Sequence, residues 1–547
     1  MLLTDKPDGS GGREVWPEWR NLSTSAPLDL PLDAAYVRAV AQRSVALRSE
    51  SRWLNAVSVT VSQQQEQQIR DLAFVREIRT VGRLGGIGAP RRVEPIEPVA
   101  LKPGGEAQSD YGPSFEQLSR IGVTLLHSRQ IRGQGIRVGL LDSGFNYGDH
   151  AAFSRLKIVA ERDFINADGD VSDEESEPVT GNEVETGQNE HGTQVLSVLA
   201  GNAPGSIIGA APEAEYVLAK TEELATETSA DEDRWVAGLE WLIDEGAQVV
   251  NSSVGFTVFD DSSGYSFDDL DGATSMATIA AELAAARGII LVVSAGNEGA
   301  GSWRYVTVPA DAAGAIAVGS VSLSRSVITT FSSRGPTADG RIKPDVVAPG
   351  QSVIATTGRS ASRSSEQRGA FELEEYGRVS GTSFAAPLVT GVCALLKQIH
   401  PTWGPEQIAE ALRSTATDLG VAGPDTAYGW GLVNAVAASG LNLEGPALSA
   451  AAAPFPNPLV IASGETVSTV FFPLELSDRD GVSVHIYDLA GNLVDSVEEI
   501  RLESGSSLDR QSALQWEPRQ NIAAGLYYYR IEATTVNEHG KLAIIRH

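Results

Sequence analysis

The chain has 547 residues, a formal net charge of −29, 42% hydrophobic and 21% charged residues, and a single cysteine. That length exceeds one hydrophobic core and predicts roughly two to four domains, while the acidity excludes a nucleic-acid partner because a polyanion would be repelled. Cys393 alone excludes an intramolecular disulfide framework and, in the apolar run 391–396, reads as a buried structural thiol; no apolar run approaches the roughly 20 residues of a membrane helix.

Residues 1–33 are rich in Pro, Gly and polar side chains and are expected to be poorly ordered. Their start, Met-Leu-Leu-Thr-Asp-Lys-Pro-Asp, has no basic and then apolar stretch, so no secretory signal is expected in it. Residues 34–95 form a small α+β module. It has a helical pattern over 34–47, a strand-like run over 54–61, a Gln-rich helix and a second strand-like run over 74–81. A Pro/Gly-rich stretch beginning near 84 supplies the linker 96–113.

From 114 to 442 apolar runs at 137–141, 216–219, 247–250 and 288–293 alternate with helical stretches. Continuous apolar strands separated by helices predict an α/β domain, a mostly parallel sheet with helices on both faces. Ligands of such sheets bind beyond the carboxyl ends of the strands. The Ala- and Pro-rich segment 443–458 reads as a linker, and 459–547 as short alternating strands of a β-sandwich.

Three positions at element ends carry chemistry. Asp142 follows an apolar strand and precedes Ser143-Gly144. His191 opens an apolar helix in Glu190-His191-Gly192-Thr193, and Ser383 opens another in Gly381-Thr382-Ser383-Phe384-Ala385-Ala386-Pro387. A serine hydroxyl is a weak nucleophile until an imidazole takes its proton, and the imidazole needs a carboxylate to fix its tautomer. Each site alone reads more simply as a turn, a helix cap or a loop; their joint occurrence in one α/β region favours catalysis. The order Asp…His…Ser differs from that of α/β-hydrolases and of chymotrypsin-like enzymes.

On these segments the chain resembles the subtilase family of serine proteases. The resemblance covers 114–440 and extends to Val293-Ser294-Ala295-Gly296-Asn297-Glu298-Gly299 and Asn251-Ser252-Ser253-Val254-Gly255. It implies a subtilisin-like fold and a peptidase with Asp142, His191 and Ser383 as its triad. Asn297 would donate to the oxyanion, and Ser253, Val254 and Gly255 would form a substrate-binding edge strand. No cofactor is implied. Calcium is suggested only by Asn166-Ala167-Asp168-Gly169-Asp170, whose glycine spacing is wrong for an EF-hand loop; a solvated acidic loop is the simpler reading of 166–189. The charged insertion 359–378 either borders the cleft or is a site of self-cleavage. His539, in a second Asn-Glu-His-Gly, reads as a turn residue, and no His-Glu-x-x-His stands for zinc.

Ser51-Arg52-Trp53-Leu54-Asn55-Ala56-Val57 and Phe74-Val75-Arg76 resemble the inhibitor-type subtilase propeptide, which would act as an intramolecular inhibitor whose following linker enters the cleft and is cut. Phe455-Pro456-Asn457-Pro458 and Gly525-Leu526-Tyr527-Tyr528-Tyr529 resemble C-terminal sorting domains of type IX secretion. Together these imply a secreted or surface endopeptidase acting on polypeptides, with export machinery as a further partner. The alternatives are an inactive subtilase-like adhesion protein, or a transferase or cyclase on the same triad.

Overall fold

The computed structural model describes residues 30–79, 110–172, 188–356 and 376–441, apart from Asp149, Ala225, Asp261 and Ser262, together with short strands and a few loop residues elsewhere. The linker 443–458 and most of the insertion 359–378 lie outside the described residues. The chain divides into two compact units, Met1–Gly440 and Leu441–His547.

The first unit begins with a four-stranded sheet under two helices. Its strands are Leu2–Leu3 (β1), Ala46–Ser51 (β2), Ala56–Thr60 (β3) and Val75–Glu77 (β4), in the order β2-β3-β1-β4. The N-terminal segment, expected to lack order, thus supplies an antiparallel strand through Leu2–Leu3. Helix Ala34–Ala41 (α1) starts at Asp33, whose carboxylate accepts the Ala35 N–H at 2.7 Å. Helix Gln63–Arg70 (α2) is closed at its start by a reciprocal Ser62–Gln65 capping box. The helical pattern read over 34–47 stops at Ala41. From Val45 the chain pairs with β3 instead, beginning with the Val45 N–H on the Thr60 carbonyl, because strand pairing overrides weak helical periodicity.

Behind this module lies a seven-stranded, wholly parallel sheet, as the apolar runs predict. With Glu97–Pro98 as β5, its strands are Arg137–Asp142 (β6), Ile158–Asp163 (β7), Glu215–Lys220 (β8), Val249–Ser252 (β9), Ile290–Ser294 (β10), Ile316–Ser322 (β11) and Val346–Gln351 (β12). The order is β12-β11-β10-β9-β6-β8-β7, every neighbouring pair parallel. Val138, Leu140, Val250 and Val292 are wholly buried, as strands covered on both faces require. Helices Ser229–Asp244 (α4) and Met276–Ala286 (α5) pack with one face's core, while Glu190–Ala200 (α3) and Thr382–Ile399 (α6) contact one another.

The small module is docked on α4. The hairpin between β2 and β3 drives Trp53, 1% exposed, into the larger domain's core, with the Arg287 guanidinium 4.6 Å from its ring centre. Glu240 of α4 accepts from the Ser51 hydroxyl at 2.5 Å and the Arg52 N–H at 3.1 Å, and Ser58 donates to Asp233. Burial in this contact pushes the Glu240 carboxyl up to about 7, the hydrogen bonds from Ser51 and Arg52 only partly opposing it.

The second unit holds a five-stranded sheet with Ser483–Tyr487, Gly525–Glu532 and Asn537–Arg546 among its strands, and a two-stranded sheet of Val470–Leu474 with Ser512–Trp516. His539, expected in a turn, lies inside a strand paired with Arg530. The strand-breaking glycine beside it is accommodated opposite Tyr529, so the turn reading is corrected.

Candidate active site

Asp142 is the last residue of β6, and Ser143-Gly144 lead the chain away from the sheet. His191 is the second residue of α3, and the glycine after it decides how close helix and strand can come. A Cβ at Gly192 would stand 2.2 Å from the Gly144 carbonyl oxygen and 3.1 Å from Asp142 Oδ1. With no Cβ there, His191 Nδ1 reaches Asp142 Oδ1 at 2.7 Å. The carboxylate is fully buried and the imidazole about a quarter exposed, at 24%. Asp142 Oδ1 also accepts from the Ser143 N–H at 2.8 Å and the Ser143 hydroxyl at 3.3 Å. A carboxylate facing Nδ1 holds the proton there and leaves Nε2 as the basic nitrogen.

Ser383 is the second residue of α6, where a backbone N–H has no acceptor within its own helix. Four residues on stands Pro387, which has no N–H to give to the Ser383 carbonyl. The Ser253 hydroxyl replaces that donor at 2.8 Å. In return the Ser383 hydroxyl donates to the Ser253 carbonyl at 3.2 Å, so in this state it is turned to Ser253 rather than hydrogen-bonded to His191. The two serines therefore clamp each other. The Phe384 ring lies 5.8 Å from the imidazole, closing one side.

Asn297 follows β10, and its Oδ1 accepts from the Thr382 N–H at 2.9 Å and the Thr382 hydroxyl at 3.0 Å. A backbone N–H can only donate, so the amide's orientation is fixed and Nδ2 is left to donate into the cleft. Ser253, Val254 and Gly255 continue β9 beyond the sheet along the same cleft. β9 itself is interior, flanked by β6 and β10, and the expected binding strand over Ser253 to Gly255 is its continuation after it leaves the sheet. Gly255 is forced by close approach, since a Cβ would meet Thr307 Oγ1 at 2.3 Å.

These residues share one cleft of about 660 Å³, bounded also by Gln194, Leu224, Phe331 and Val379. Among the described residues that line it are four acidic ones, Glu222, Glu227, Asp260 and Glu298, and no lysine or arginine. Sequence reasoning missed this acidic wall. Only Glu298 lies in a recognisable motif; the others sit on the segments 222–227 and 256–260, whose meeting no local pattern announces.

Other singled-out groups are occupied elsewhere. His127 is buried, pushed down to about 3 by desolvation, and bonded to the Tyr111 hydroxyl and the Ala210 carbonyl. Cys393 is fully buried, and burial pushes its thiol well up. In 163–172 the carboxylates of Asp163, Asp168 and Asp170 accept their own loop's backbone N–H groups. Among the described residues no three or more His, Cys, Asp or Glu gather as a metal site, so the calcium suggestion gains no support from them. Lys343-Pro344-Asp345 is structural: Lys343 Nζ meets Asp345 at 2.7 Å, both buried, and Arg413 joins them.

Residues 133–431 match the Subtilase family (Peptidase S8), and residues 20–91 match the Peptidase S8 propeptide domain of Bacteroidota. Subtilisin Savinase of Lederbergia lenta is 32% identical over 323 residues, 59% of this chain and 97% of that relative. Subtilisin E of Bacillus subtilis is 31% identical over 325 residues, 59% of this chain and 70% of the relative. M-protease of Shouchella clausii is 32% identical over 323 residues, covering 59% and 69% respectively. With more than half its length matched and a propeptide domain ahead of the match, the chain belongs to the subtilase family of serine endopeptidases.

Proposed function

We propose that Asp142, His191, Ser383 and Asn297 hydrolyse polypeptides through an acyl-enzyme. The observation that carries this reading is the 2.7 Å contact between a buried Asp142 and His191 Nδ1 in a cleft that Ser383 shares. Substrate entry turns the Ser383 hydroxyl from Ser253 towards His191 Nε2, which takes its proton as Oγ attacks the carbonyl carbon. Apo geometry of this kind commonly tightens only in the complex. Asn297 Nδ2 and the Ser383 N–H hold the developing oxyanion. His191 then protonates the leaving amine, and water attacks the ester by the same base. Asp142 stabilises the imidazolium throughout.

Ser253 to Gly255 hold the substrate's main chain in extended form. The module over 34–95 blocks the cleft until the chain is cut behind it, and its dock on α4 through Trp53 and Glu240 supports that role. In this reading no metal or organic cofactor takes part, and the enzyme works outside the cell or on its surface, with residues 459–547 serving export.

The test is kinetic. In the processed enzyme Ser383→Ala, His191→Ala and their double variant should all lose activity by a similar factor, on the order of 10⁶, because the residues act as a unit. A double variant whose loss multiplied the two single losses would refute a shared step.

A further inference from the structure

Asp142 and His191 stand on different elements, β6 and α3, so their contact lasts only while those elements keep their spacing. One amide joins the two from outside the pair. Gln188 precedes His191 by three residues, and its Nε2 donates to the Ser143 carbonyl at 2.8 Å and to the Glu222 carbonyl at 2.5 Å. Its Oε1 accepts the Leu224 N–H at 2.9 Å. A carbonyl can only accept and a backbone N–H can only donate, so these partners fix which end of the amide is which.

Each partner bears on the reaction. Ser143 gives its N–H and its hydroxyl to Asp142 Oδ1, so Gln188 holds the carbonyl of the residue that orients the carboxylate. A second tie runs alongside: Thr193 Oγ1 accepts the Asn146 N–H at 2.8 Å and donates to the Asn189 carbonyl at 2.6 Å. Glu222 and Leu224 line the cleft with His191, and just before them the Thr221 N–H meets the Asp142 carbonyl at 2.9 Å. The turn after Asp142, the turn before His191 and one wall of the cleft therefore meet at a single side chain. Gln188 itself is not among the described residues that line the cleft.

We propose that Gln188 is a positioning residue for peptide hydrolysis, which keeps Asp142 Oδ1 against His191 Nδ1 and holds the wall Glu222–Leu224 to that pair. The inference rests on the proposed triad. Gln188 acts through Ser143 and Asp142, not on the peptide. Its loss lets the carboxylate and the imidazole drift apart, and a misplacement of about 1 Å costs about 10²-fold in rate.

The test is a double-mutant cycle in the processed enzyme, with folding checked by near-UV circular dichroism. Gln188→Leu keeps the bulk of the side chain and removes all three hydrogen bonds. Gln188→Glu keeps the acceptor for Leu224 but sets a carboxylate against two carbonyls, and it decides the question if the leucine variant does not fold. Each should lower kcat by about tenfold to a hundredfold, with KM within about twofold. Gln117→Leu is the structural control, because Gln117 likewise bonds a backbone N–H and carbonyl, both of Ile354, away from the described cleft lining. It should lower the denaturant midpoint and leave kcat unchanged. In an Asp142→Ala background, itself slower by about 10⁴, the Gln188 substitutions should cost less than about threefold more, since the group they act through is gone. Unchanged kcat in a folded Gln188 variant, or the same loss in both backgrounds, would overturn this inference and leave the triad standing. Full activity in Asp142→Ala would overturn the triad and this proposal together.

Discussion

The mutual clamp of Ser253 and Ser383 makes a sharp prediction. Pro387 denies the Ser383 carbonyl its helical donor, and the Ser253 hydroxyl supplies one at 2.8 Å. Ser253→Ala therefore leaves a buried carbonyl unsatisfied, at about 1–3 kcal/mol. Pro387→Ala restores an N–H four residues along α6 and removes the helix-interior proline, a residue about 3 kcal/mol worse than alanine there. The two substitutions should therefore couple: Ser253→Ala costs less in the Pro387→Ala background than alone, by about 1 kcal/mol or more. Denaturant midpoints would be read in a His191→Ala chain, so that self-digestion does not intrude. In the active enzyme Ser253→Ala should lower kcat by about tenfold to a hundredfold, as expected for a misplaced nucleophile. Equal stability losses in both backgrounds would refute the reasoning, since the hydroxyl would then not be replacing the missing helical donor.

Three further outcomes follow from the geometry. Asn297→Ala should slow kcat by about 10²–10³ with KM little changed, because the amide acts on charge present only in the transition state; a change confined to KM would assign Asn297 to ground-state binding. Gly192→Ala forces a Cβ to 2.2 Å from the Gly144 oxygen. It should nearly abolish activity while near-UV circular dichroism stays native; full activity would show that α3 can shift freely. Glu240, up to about 7 when docked, should return to the ordinary glutamate value of about 4.3 once its propeptide partners leave. A raised value in the docked state means that docking takes up a proton. The docking advantage is thus complete below the free value and is lost as pH rises through about 7. The processed propeptide should leave faster at pH 8 than at pH 5, by roughly ten- to a hundredfold. Glu240→Gln should flatten that profile, although Arg52 and Asp244 flank the contact; an unchanged profile would assign the dependence to another group.

How much was legible depended on the range of the interaction. The parallel sheet could be read because Val138, Leu140, Val250 and Val292 sit in strands buried on both faces, which leaves a continuous apolar run in the sequence. Asp142, His191 and Ser383 were legible as element ends with small neighbours, and Gly192 proves to be the reason for one of those neighbours. Less local features were not. The first strand, Leu2–Leu3, is too short to carry a pattern and exists only through its partners. The strand after Ala41 was hidden by a helical spacing that pairing overruled. The acidic wall joins residues from separate loops, and the Ser253–Ser383 clamp spans 130 positions; neither has a local signature.

The most direct test of the central claim is intact mass after fluorophosphonate treatment of the processed enzyme, beside Ser383→Ala and His191→Ala. A single adduct on the wild type, absent from Ser383→Ala and strongly slowed in His191→Ala, is the predicted result, because only a serine with its base in reach is so reactive. Equal labelling of wild type and Ser383→Ala, or none on a folded and fully processed wild type, would contradict an activated Ser383.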